Sequence, residues 1–429
     1  MNITTTTLKH DFCIGCGICA ASCPSSSIEM KYNEDKVFYP VINNKTCTQC
    51  GLCSTYCPNT YKKLRKEALS CPKESYLKGL SGAKYFVGCD KNTESRQKSA
   101  SGGIASLIAK DLLQSGAVNG VIHAQTVEAK HGQPHYKAVL STTVDEVDTR
   151  KSSIYGPVCF NEVLSSLEQG RTYLFMGTPC VIQGVTELFA GHNKFKDIKI
   201  FTLALVCSHS VSGAFSDYLA ESLSIKSDTP YCVNLRNKDN IVDANNYNNH
   251  FYNSDGDIAK INRFKSAFTK LWRNYCFANN VCSYCSDFWG YKADISIKDA
   301  WGQWAKDPLG KSIMVVRNDF LYEKLTRNQD AQLSELHFYD LIHHQKTSVD
   351  YKQFEGNNKF TKSLFHPKNI KNKLLKYKLF AVTSKFLYCN FGFKLTKPAL
   401  NVLLNISAAL EKLNESIYNI YLILRCHHE

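Results

Sequence analysis

The chain has 429 residues, which at about 100 to 200 residues per domain leaves room for several folded units. Hydrophobic residues make up 44% and charged residues 21% of it, an ordinary composition that excludes collagen-like, coiled-coil and wholly disordered proteins. The formal net charge of +14 favours anionic partners in general, but it does not choose among nucleic acid, membranes and acidic proteins.

Cysteine is the residue type that stands out, with 19 copies. The first residues lack the basic and apolar regions of a signal peptide, and no uninterrupted apolar run approaches the ~18 residues of a membrane span. We therefore expect a cytoplasmic protein in a reducing environment, where cysteines more often bind metal than form disulfides.

Two copies of one cysteine pattern lie near the start of the chain. Each copy has the spacing C-x2-C-x2-C-x3-C-P, which is typical of bacterial ferredoxins with two 4Fe-4S clusters, where the fourth cysteine of each run binds the other cluster. The predicted ligands are Cys13, Cys16, Cys19 and Cys57 for the first cluster and Cys23, Cys47, Cys50 and Cys53 for the second. Structural zinc prefers C-x2-C pairs that lie further apart, and a disulfide framework lacks secretory support.

Residues 1–65 are therefore predicted to form a small α+β, ferredoxin-like domain of the βαββαβ type. So short a segment cannot bury much apolar surface, and the clusters should supply much of its stability. Such a domain passes single electrons. The remainder of the chain is therefore expected to supply a redox centre that can handle electron pairs.

From about residue 84 the pattern becomes that of an α/β protein, with short β-rich runs separated by amphipathic segments. Ser101, Gly102 and Gly103 precede an amphipathic helix predicted over residues 104–113. Serine and glycine at a helix start can cap the free amides or let a phosphate approach them. Phosphate binding and plain capping both remain open for this turn.

Further cysteines follow predicted strands of this α/β segment. A strand over 172–176 leads to Gly177, Thr178 and Cys180, and a strand over 199–206 leads to Cys207. The carboxyl ends of parallel strands are where such sheets place ligands. A third 4Fe-4S cluster is predicted from four of the following five cysteines: Cys180, Cys207, Cys276, Cys282 and Cys285. The alternative is a set of buried thiols without metal.

The order of these motifs resembles the beta-subunit family of coenzyme F-420 hydrogenases and dehydrogenases over roughly residues 10 to 320. The motifs are the double cysteine run, residues 101–103, 177–184 and 293–302, Cys207, and the pair Cys282 and Cys285. The resemblance implies an α/β flavin-binding body with an N-terminal part over 84–165 and a C-terminal part over 166–330.

The resemblance also implies FAD as a cofactor and a diffusible redox substrate. Flavin would be lined by Ser101, Gly102, Gly103, Gly177, Thr178 and Gly184, with Asp299 near the site. No catalytic residue is assigned, and Cys180, His209 and Asp299 are candidates by position only. Some bacterial members of the family are associated with polysaccharide synthesis, which suggests a glycan precursor as one substrate.

Two segments depart from the family pattern. Residues 151–155 follow it loosely, and residues 233–240 keep Arg236 and Lys238 without the aromatic residue that is often found next. These loops are expected to touch the substrate. The departures lower the expectation that the deazaflavin itself is that substrate.

The last segment, residues 331–429, is predicted to be a basic and mostly helical extension. Residues 356–410 contain ten lysines and no acidic residue. A basic amphipathic segment can lie on an anionic membrane, dock an acidic protein or pack on the body as a solvated tail. No nucleic-acid-binding module is recognisable, so nucleic acid is not an expected partner.

Three hypotheses follow. The first is an iron-sulfur flavoprotein enzyme with a small-molecule substrate, cytoplasmic or peripheral to the inner face of the membrane. The second is an electron-transfer subunit that shuttles electrons between ferredoxin and a partner enzyme. The third is a metal-bearing scaffold that has lost its flavin.

Overall fold

The computed structural model describes residues 2–69, 79–150, 153–343, 345, and 384–405 except 386, 391 and 395. The strands are β1 (Ile28–Tyr32), β2 (Phe38–Ile42), β3 (Lys84–Asp90), β4 (Gly120–Thr126), β5 (Tyr136–Ser141), β6 (Thr172–Gly177), β7 (Lys199–Leu205), β8 (Cys232–Asn237), β9 (Asn248–Asn253), β10 (Gly256–Asn262), β11 (Ile295–Asp299), β12 (Ser312–Val316) and β13 (Ala331–Glu335). The α-helices are α1 (Ile3–Thr6), α2 (Ile18–Ala21), α3 (Leu52–Thr55), α4 (Tyr61–Leu69), α5 (Thr93–Lys98), α6 (Ile104–Gln114), α7 (Val144–Arg150), α8 (Asn161–Ser165), α9 (Pro179–Gly191), α10 (Ala214–Ser222), α11 (Phe268–Arg273), α12 (Asp319–Arg327) and α13 (Phe338–His343).

The N-terminal module, residues 2–69, is built on one antiparallel hairpin of β1 and β2, in which Ile28 pairs with Ile42 and Tyr32 with Phe38. Short helices α2 and α3 each begin within a cysteine run. The ferredoxin-like module is confirmed. Within residues 2–69, however, the expected βαββαβ order is reduced to its central hairpin and short helices, because the outer segments wrap the cysteine sites and do not pair as strands.

The body is centred on one eight-stranded sheet with the order β13-β3-β12-β11-β7-β6-β4-β5. Strands β3, β4, β6, β7 and β11 run parallel to one another, whereas β5, β12 and β13 run antiparallel to their neighbours. This confirms the predicted α/β body. The loops that follow the five parallel strands lie at one edge, which we name the carboxyl edge.

Both faces of this sheet are covered, as the alternation of side chains along its strands requires. Leu174 and Leu203 pack with helix α6 on one face. Phe175 and Ala204 pack with helix α9 on the other, where Ile18 of the N-terminal module joins the same core. The ferredoxin-like module is therefore part of a continuous apolar core with the body.

The sequence-based boundary at 165/166 stays a prediction. Strands on either side of it, β4 and β6, hydrogen-bond in the same sheet. Strand β13 from the predicted extension pairs with β3 in that sheet as well.

A second sheet, with the order β10-β9-β8, packs against α10 and α11. The described C-terminal residues are helical, and Tyr388, Leu400 and Leu404 are buried in this core. Most of the basic segment 356–410 lies outside the described residues. In the part of the chain that the structure covers, no helix is long and apolar enough to cross a membrane.

Candidate functional site

The eight cysteines of the two N-terminal runs separate into two groups. Burial raises the pKa of the Cys16 thiol, and the charge of Cys57 raises it further. Burial also raises the pKa of the Cys53 thiol, with smaller contributions from Cys50 and Cys23. The fourth cysteine of each run thus lies near the first three of the other run, and the two ligand sets stay a prediction.

Each group shows features that suit an iron-sulfur cluster. The backbone N–H of Gly15 donates to Cys13 Sγ at 3.4 Å, and that of Ser27 donates to Cys23 Sγ at 3.3 Å. Such hydrogen bonds to sulfur tune cluster potentials. Cys23, Cys47, Cys50 and Cys53 together line one cavity. The donor set of four thiols around a shared space fits a 4Fe-4S cluster.

A third group of thiols lies at the carboxyl edge of the large sheet. Burial raises the pKa of the Cys180 thiol, which follows β6 at the start of α9. The charges of Cys285, Cys207 and Cys282 raise it further, so the four thiols lie close together. Cys282 Sγ accepts a hydrogen bond of 3.3 Å from the backbone N–H of Ser210.

These four thiols fit the donor set of a third cluster, in which each thiolate binds a different iron. None of the described cysteines forms a disulfide. Among the described residues, no group of three or more His, Cys, Asp or Glu side chains is arranged to hold a single metal ion.

Two further residues that the sequence analysis singled out, Cys276 and His209, lie among packed side chains. Cys276 is fully buried in the core of the second sheet. His209 is buried between the rings of Trp272 and Tyr275, with ring centroids 3.9 and 4.1 Å away. These surroundings are those of packed core residues, and a catalytic role for His209 remains a prediction.

Gly184 packs against the ferredoxin-like module. A Cβ added to Gly184 would lie 2.6 Å from Cδ1 of Ile18, so the close approach of α9 to α2 requires glycine. One residue earlier, Gln183 Nε2 donates to Glu67 Oε1 at 2.9 Å. This part of the motif 177–184 therefore holds the module against the body, while Cys180 at its other end joins the third thiol group.

The glycines of the turn 101–103 have clear structural reasons. A Cβ on Gly102 would lie 2.8 Å from the carbonyl oxygen of Gly88 and from the backbone nitrogen of Ser312. Gly103 has φ +82° and starts helix α6. Ser101 Oγ donates to the carbonyl of Lys311 at 2.7 Å. The turn is packed against the carboxyl edge, beside the ends of β3 and β11.

Basic side chains gather at this turn. Arg236 Nη1 donates to Asp299 Oδ2 at 2.6 Å. Burial raises the pKa of Asp299, but the charge and hydrogen bond of Arg236 outweigh it and hold the pKa below its usual value. Asp299 is therefore an ionised partner of Arg236, which is the role of a positioning residue and not of a proton donor.

Lys238 is buried beside this ion pair. Its Nζ donates to the carbonyls of Arg96, Ser101 and Leu309 at 2.8, 2.7 and 2.6 Å. Burial and the nearby charge of Arg236 lower the pKa of Lys238 to about 7. The ammonium group ties the turn 101–103 to helix α5 and to the loop before β12.

Two observations indicate that this edge can accept an anionic group with an apolar part. Arg96 and Arg236 are each 8% exposed, and in the described structure the Nε atom of each has no hydrogen-bond partner. Leu205 is 41% exposed at the end of the central strand β7, although Ala204 beside it is fully buried.

The sequence analysis missed Arg96 and a buried network that holds the hairpin. Lys36, in the turn between β1 and β2, donates to Asp217 Oδ2 of α10 at 2.7 Å. His135 and Tyr231 bond to Asp217 Oδ1 at 3.1 and 2.9 Å. No local pattern marks these residues, because each partner comes from a distant part of the chain.

The chain matches known families in three consecutive segments. Residues 12–60 match the 4Fe-4S dicluster domain. Residues 85–165 and 170–340 match the N-terminal and C-terminal parts of the coenzyme F420 hydrogenase/dehydrogenase beta subunit. These segments define an iron-sulfur electron-transfer protein of an oxidoreductase class. The chain belongs to the coenzyme F420 hydrogenase/dehydrogenase beta-subunit family, which confirms the resemblance seen in the sequence.

A solved structure similar to this chain is the xenon-derivatised F420-reducing [NiFe] hydrogenase complex from Methanosarcina barkeri. The two chains are 17% identical, with a TM-score of 0.46, and the match covers 63% of this chain and 89% of that one. No curated protein matches the chain.

Proposed function

We propose that this protein is an iron-sulfur flavoprotein oxidoreductase with three 4Fe-4S clusters and one FAD, which exchanges electrons with a small-molecule substrate. A flavin takes up electrons as a pair and releases them singly to clusters. The proposal rests chiefly on one observation. The thiols of Cys180, Cys207, Cys282 and Cys285 share the carboxyl edge with the orphaned guanidinium nitrogens of Arg96 and Arg236.

In this proposal the residues of the basic turn bind and orient the cofactor. Arg96 and Arg236 would face its phosphates, because arginine suits such anions and both Nε donors lack a partner in the described structure. Asp299 holds Arg236 in place through the ion pair of 2.6 Å. Leu205 would cover the apolar ring, beside Cys207 of the third thiol group.

The first test is anaerobic purification followed by iron, sulfide and flavin quantitation on the same sample. We expect about twelve irons and about one FAD per chain, because each cluster contributes about four irons. About eight irons with FAD would contradict the third cluster. Iron without flavin would contradict the flavoenzyme and favour an electron-transfer subunit.

That subunit is the second candidate, and the family description favours it, since the matched family consists of beta subunits. The two candidates differ in the isolated protein. An enzyme reoxidises its reduced flavin with a small molecule alone, and coenzyme F420 belongs in the panel of substrates. A shuttle needs a partner such as ferredoxin or the enzyme it serves.

Two finer proposals depend on the substrate and the extension. A glycan precursor as substrate, and hence a role in polysaccharide synthesis, stays a prediction from the family resemblance. Contact of the basic segment 356–410 with an anionic membrane is likewise a proposal, which co-sedimentation with anionic vesicles would test.

A further inference from the structure

We propose that Thr7 is a positioning residue for the first cluster, whose reduction potential it raises by donating a hydrogen bond to Cys57. Thr7 lies outside both cysteine runs, and the sequence analysis did not single it out. The inference deepens the proposed function and rests on its assignment of clusters to the N-terminal module. We name the predicted ligands of the two clusters the first thiol group, Cys13, Cys16, Cys19 and Cys57, and the second thiol group, Cys23, Cys47, Cys50 and Cys53.

Thr7 is held so that its side chain faces Cys57. Its backbone N–H donates to the carbonyl of Ile3 at 3.0 Å where helix α1 ends, and its own carbonyl accepts from the N–H of Phe12 at 3.2 Å. Thr7 Oγ1 lies 3.3 Å from Cys57 Sγ, and Thr7 is 1% exposed. A β-branched side chain has few rotamers, so the fixed backbone also fixes the hydroxyl.

The hydroxyl is the donor of this hydrogen bond once Cys57 binds iron. A cysteine binds metal as the thiolate, which has no proton to donate. Threonine keeps its O–H, which can point at the sulfur. Burial raises the pKa of the Cys57 thiol, and the hydrogen bond from Thr7 opposes that rise. Thr7 therefore stabilises negative charge on the sulfur.

The negative charge on the ligand sulfurs grows when a cluster takes up one electron. A donor at the sulfur therefore stabilises the reduced cluster more than the oxidised one, which raises the reduction potential. Thr7 and Cys57 are both buried, so little solvent screens this interaction. The N–H of Asn59 and the charge of Lys63 act on Cys57 in the same direction, so Thr7 supplies a part of the whole effect.

The first thiol group shares a packed core with each of the other two thiol groups. Cys19 and Cys57 pack in one small core with Cys53 of the second thiol group. Cys16 packs on the core of the body that also contacts Cys180 and contains Cys282 of the third thiol group. This packing places the first cluster on a stepwise route between the second and the third. Its potential, and hence Thr7, would set how readily an electron enters and leaves that step.

The test is a redox titration of the anaerobically purified holoprotein, followed by electron paramagnetic resonance. In Thr7→Val the equilibrium constant for one-electron reduction of one N-terminal cluster should fall about tenfold, which is a potential lower by about 59 mV. Valine keeps the branched shape and removes the hydroxyl. The potentials of the other clusters and the iron content should stay native. Thr7→Ser keeps the hydroxyl and should retain a potential close to the native one.

Thr6→Val is the matched control, because it makes the same substitution one residue earlier. The Thr6 hydroxyl lies 2.8 Å from Ser54 Oγ and donates to the carbonyl of Asn2 at 3.1 Å. Its contacts are to oxygen atoms and not to a ligand sulfur. Thr6→Val should therefore leave every cluster potential unchanged.

Three results would overturn the role of Thr7. They are a native potential in Thr7→Val with native iron content, a loss of iron in Thr7→Val, and an equal shift of potential in Thr7→Ser or Thr6→Val. In the last case packing, and not the hydroxyl, would be responsible. The proposed function can fail separately. The expected shift in a protein that holds about eight irons and no flavin would uphold the role of Thr7 and overturn the flavoenzyme.

Discussion

Asparagine in place of Asp217 is expected to lower the free energy of unfolding by about 3–5 kcal/mol, the usual effect of removing one partner from a buried ion pair. The Asp217 side chain is 1% exposed and pairs with Lys36 of the ferredoxin-like hairpin. Its loss leaves the partly buried Lys36 ammonium group beside a neutral amide. We expect the hairpin to loosen from the body, which chemical unfolding of the holoprotein under anaerobic conditions would measure.

Loosening should also have a redox signature that a purely local loss of stability would not produce. The hairpin carries the N-terminal module, and Gly213 N of the body donates to the carbonyl of Lys36 at 2.8 Å. If the module shifts, the magnetic coupling between its reduced clusters and the proposed third cluster should weaken in electron paramagnetic resonance spectra. Native coupling together with native unfolding free energy in Asp217→Asn would contradict the role assigned to this ion pair.

The effect of pH follows from the pKa of Asp217. Burial raises this pKa, but the hydrogen bond from His135 and the charge of Lys36 outweigh it and lower the pKa from 3.8 to about 2. A carboxyl whose pKa is lower in the folded than in the unfolded protein stabilises the fold fully at any pH above its unfolded-state pKa. That stabilisation is lost as the pH falls through its folded-state pKa. The lowering of the pKa from 3.8 to about 2 corresponds to a stabilisation of about 2 kcal/mol by ionised Asp217.

The stability difference between native protein and Asp217→Asn should therefore be the same at pH 7 and pH 5, and should begin to close only below about 4. A difference that already shrinks near pH 6 would show that another group controls the interface. Glu323→Gln is a suitable control. Its ion pair with Arg327 is exposed, and such pairs contribute little, so no measurable loss is expected.

Alanine in place of Cys282 is expected to remove about four irons per chain, from about twelve to about eight, because one ligand of the proposed third cluster is lost. Ser210 N–H donates to Cys282 Sγ, so the loop that carries Cys207 would lose a contact at the same time. The N-terminal clusters should remain. Iron and sulfide analysis, with absorption spectra before and after reduction, measures the change.

Cys276→Ala is the matched control. Cys276 is buried, as Cys282 is, but it lies in the apolar core of the second sheet with Phe277 and Tyr218. Its replacement should cost stability through a small cavity and leave the iron content at about twelve. Equal iron contents in the two variants would contradict the assignment of the third thiol group.

The sequence predicted best those features that depend on residues close together in the chain. Three cysteines at fixed short spacing must wrap one cluster, so the two runs predict their own structure, and the dicluster domain over 12–60 confirms the module. Short β-rich runs predicted strands such as β6 and β7, which the eight-stranded sheet contains. The edge shared by Cys180 and Cys207 followed from parallel strands.

Contacts between distant segments lay beyond such patterns. Cys180 and Cys276 are equally good candidates by spacing, and only the packing of α9 against the sheet brings Cys180 to the other thiols. Gly184 belongs to a motif that was expected to line the flavin, yet its neighbour is Ile18 of the N-terminal module.

The sequence by itself determined the kind of protein: the ferredoxin-like module, the α/β body and the cysteines that can hold clusters. The tertiary structure decided how the two parts face each other. Lys36 and Asp217 are 181 residues apart in the chain, and Arg96 reaches Asp307 across 211. Short-range spacing encodes what neighbouring residues do together, whereas pairing over such distances depends on how whole elements pack. That packing sets which thiol group lies against the body.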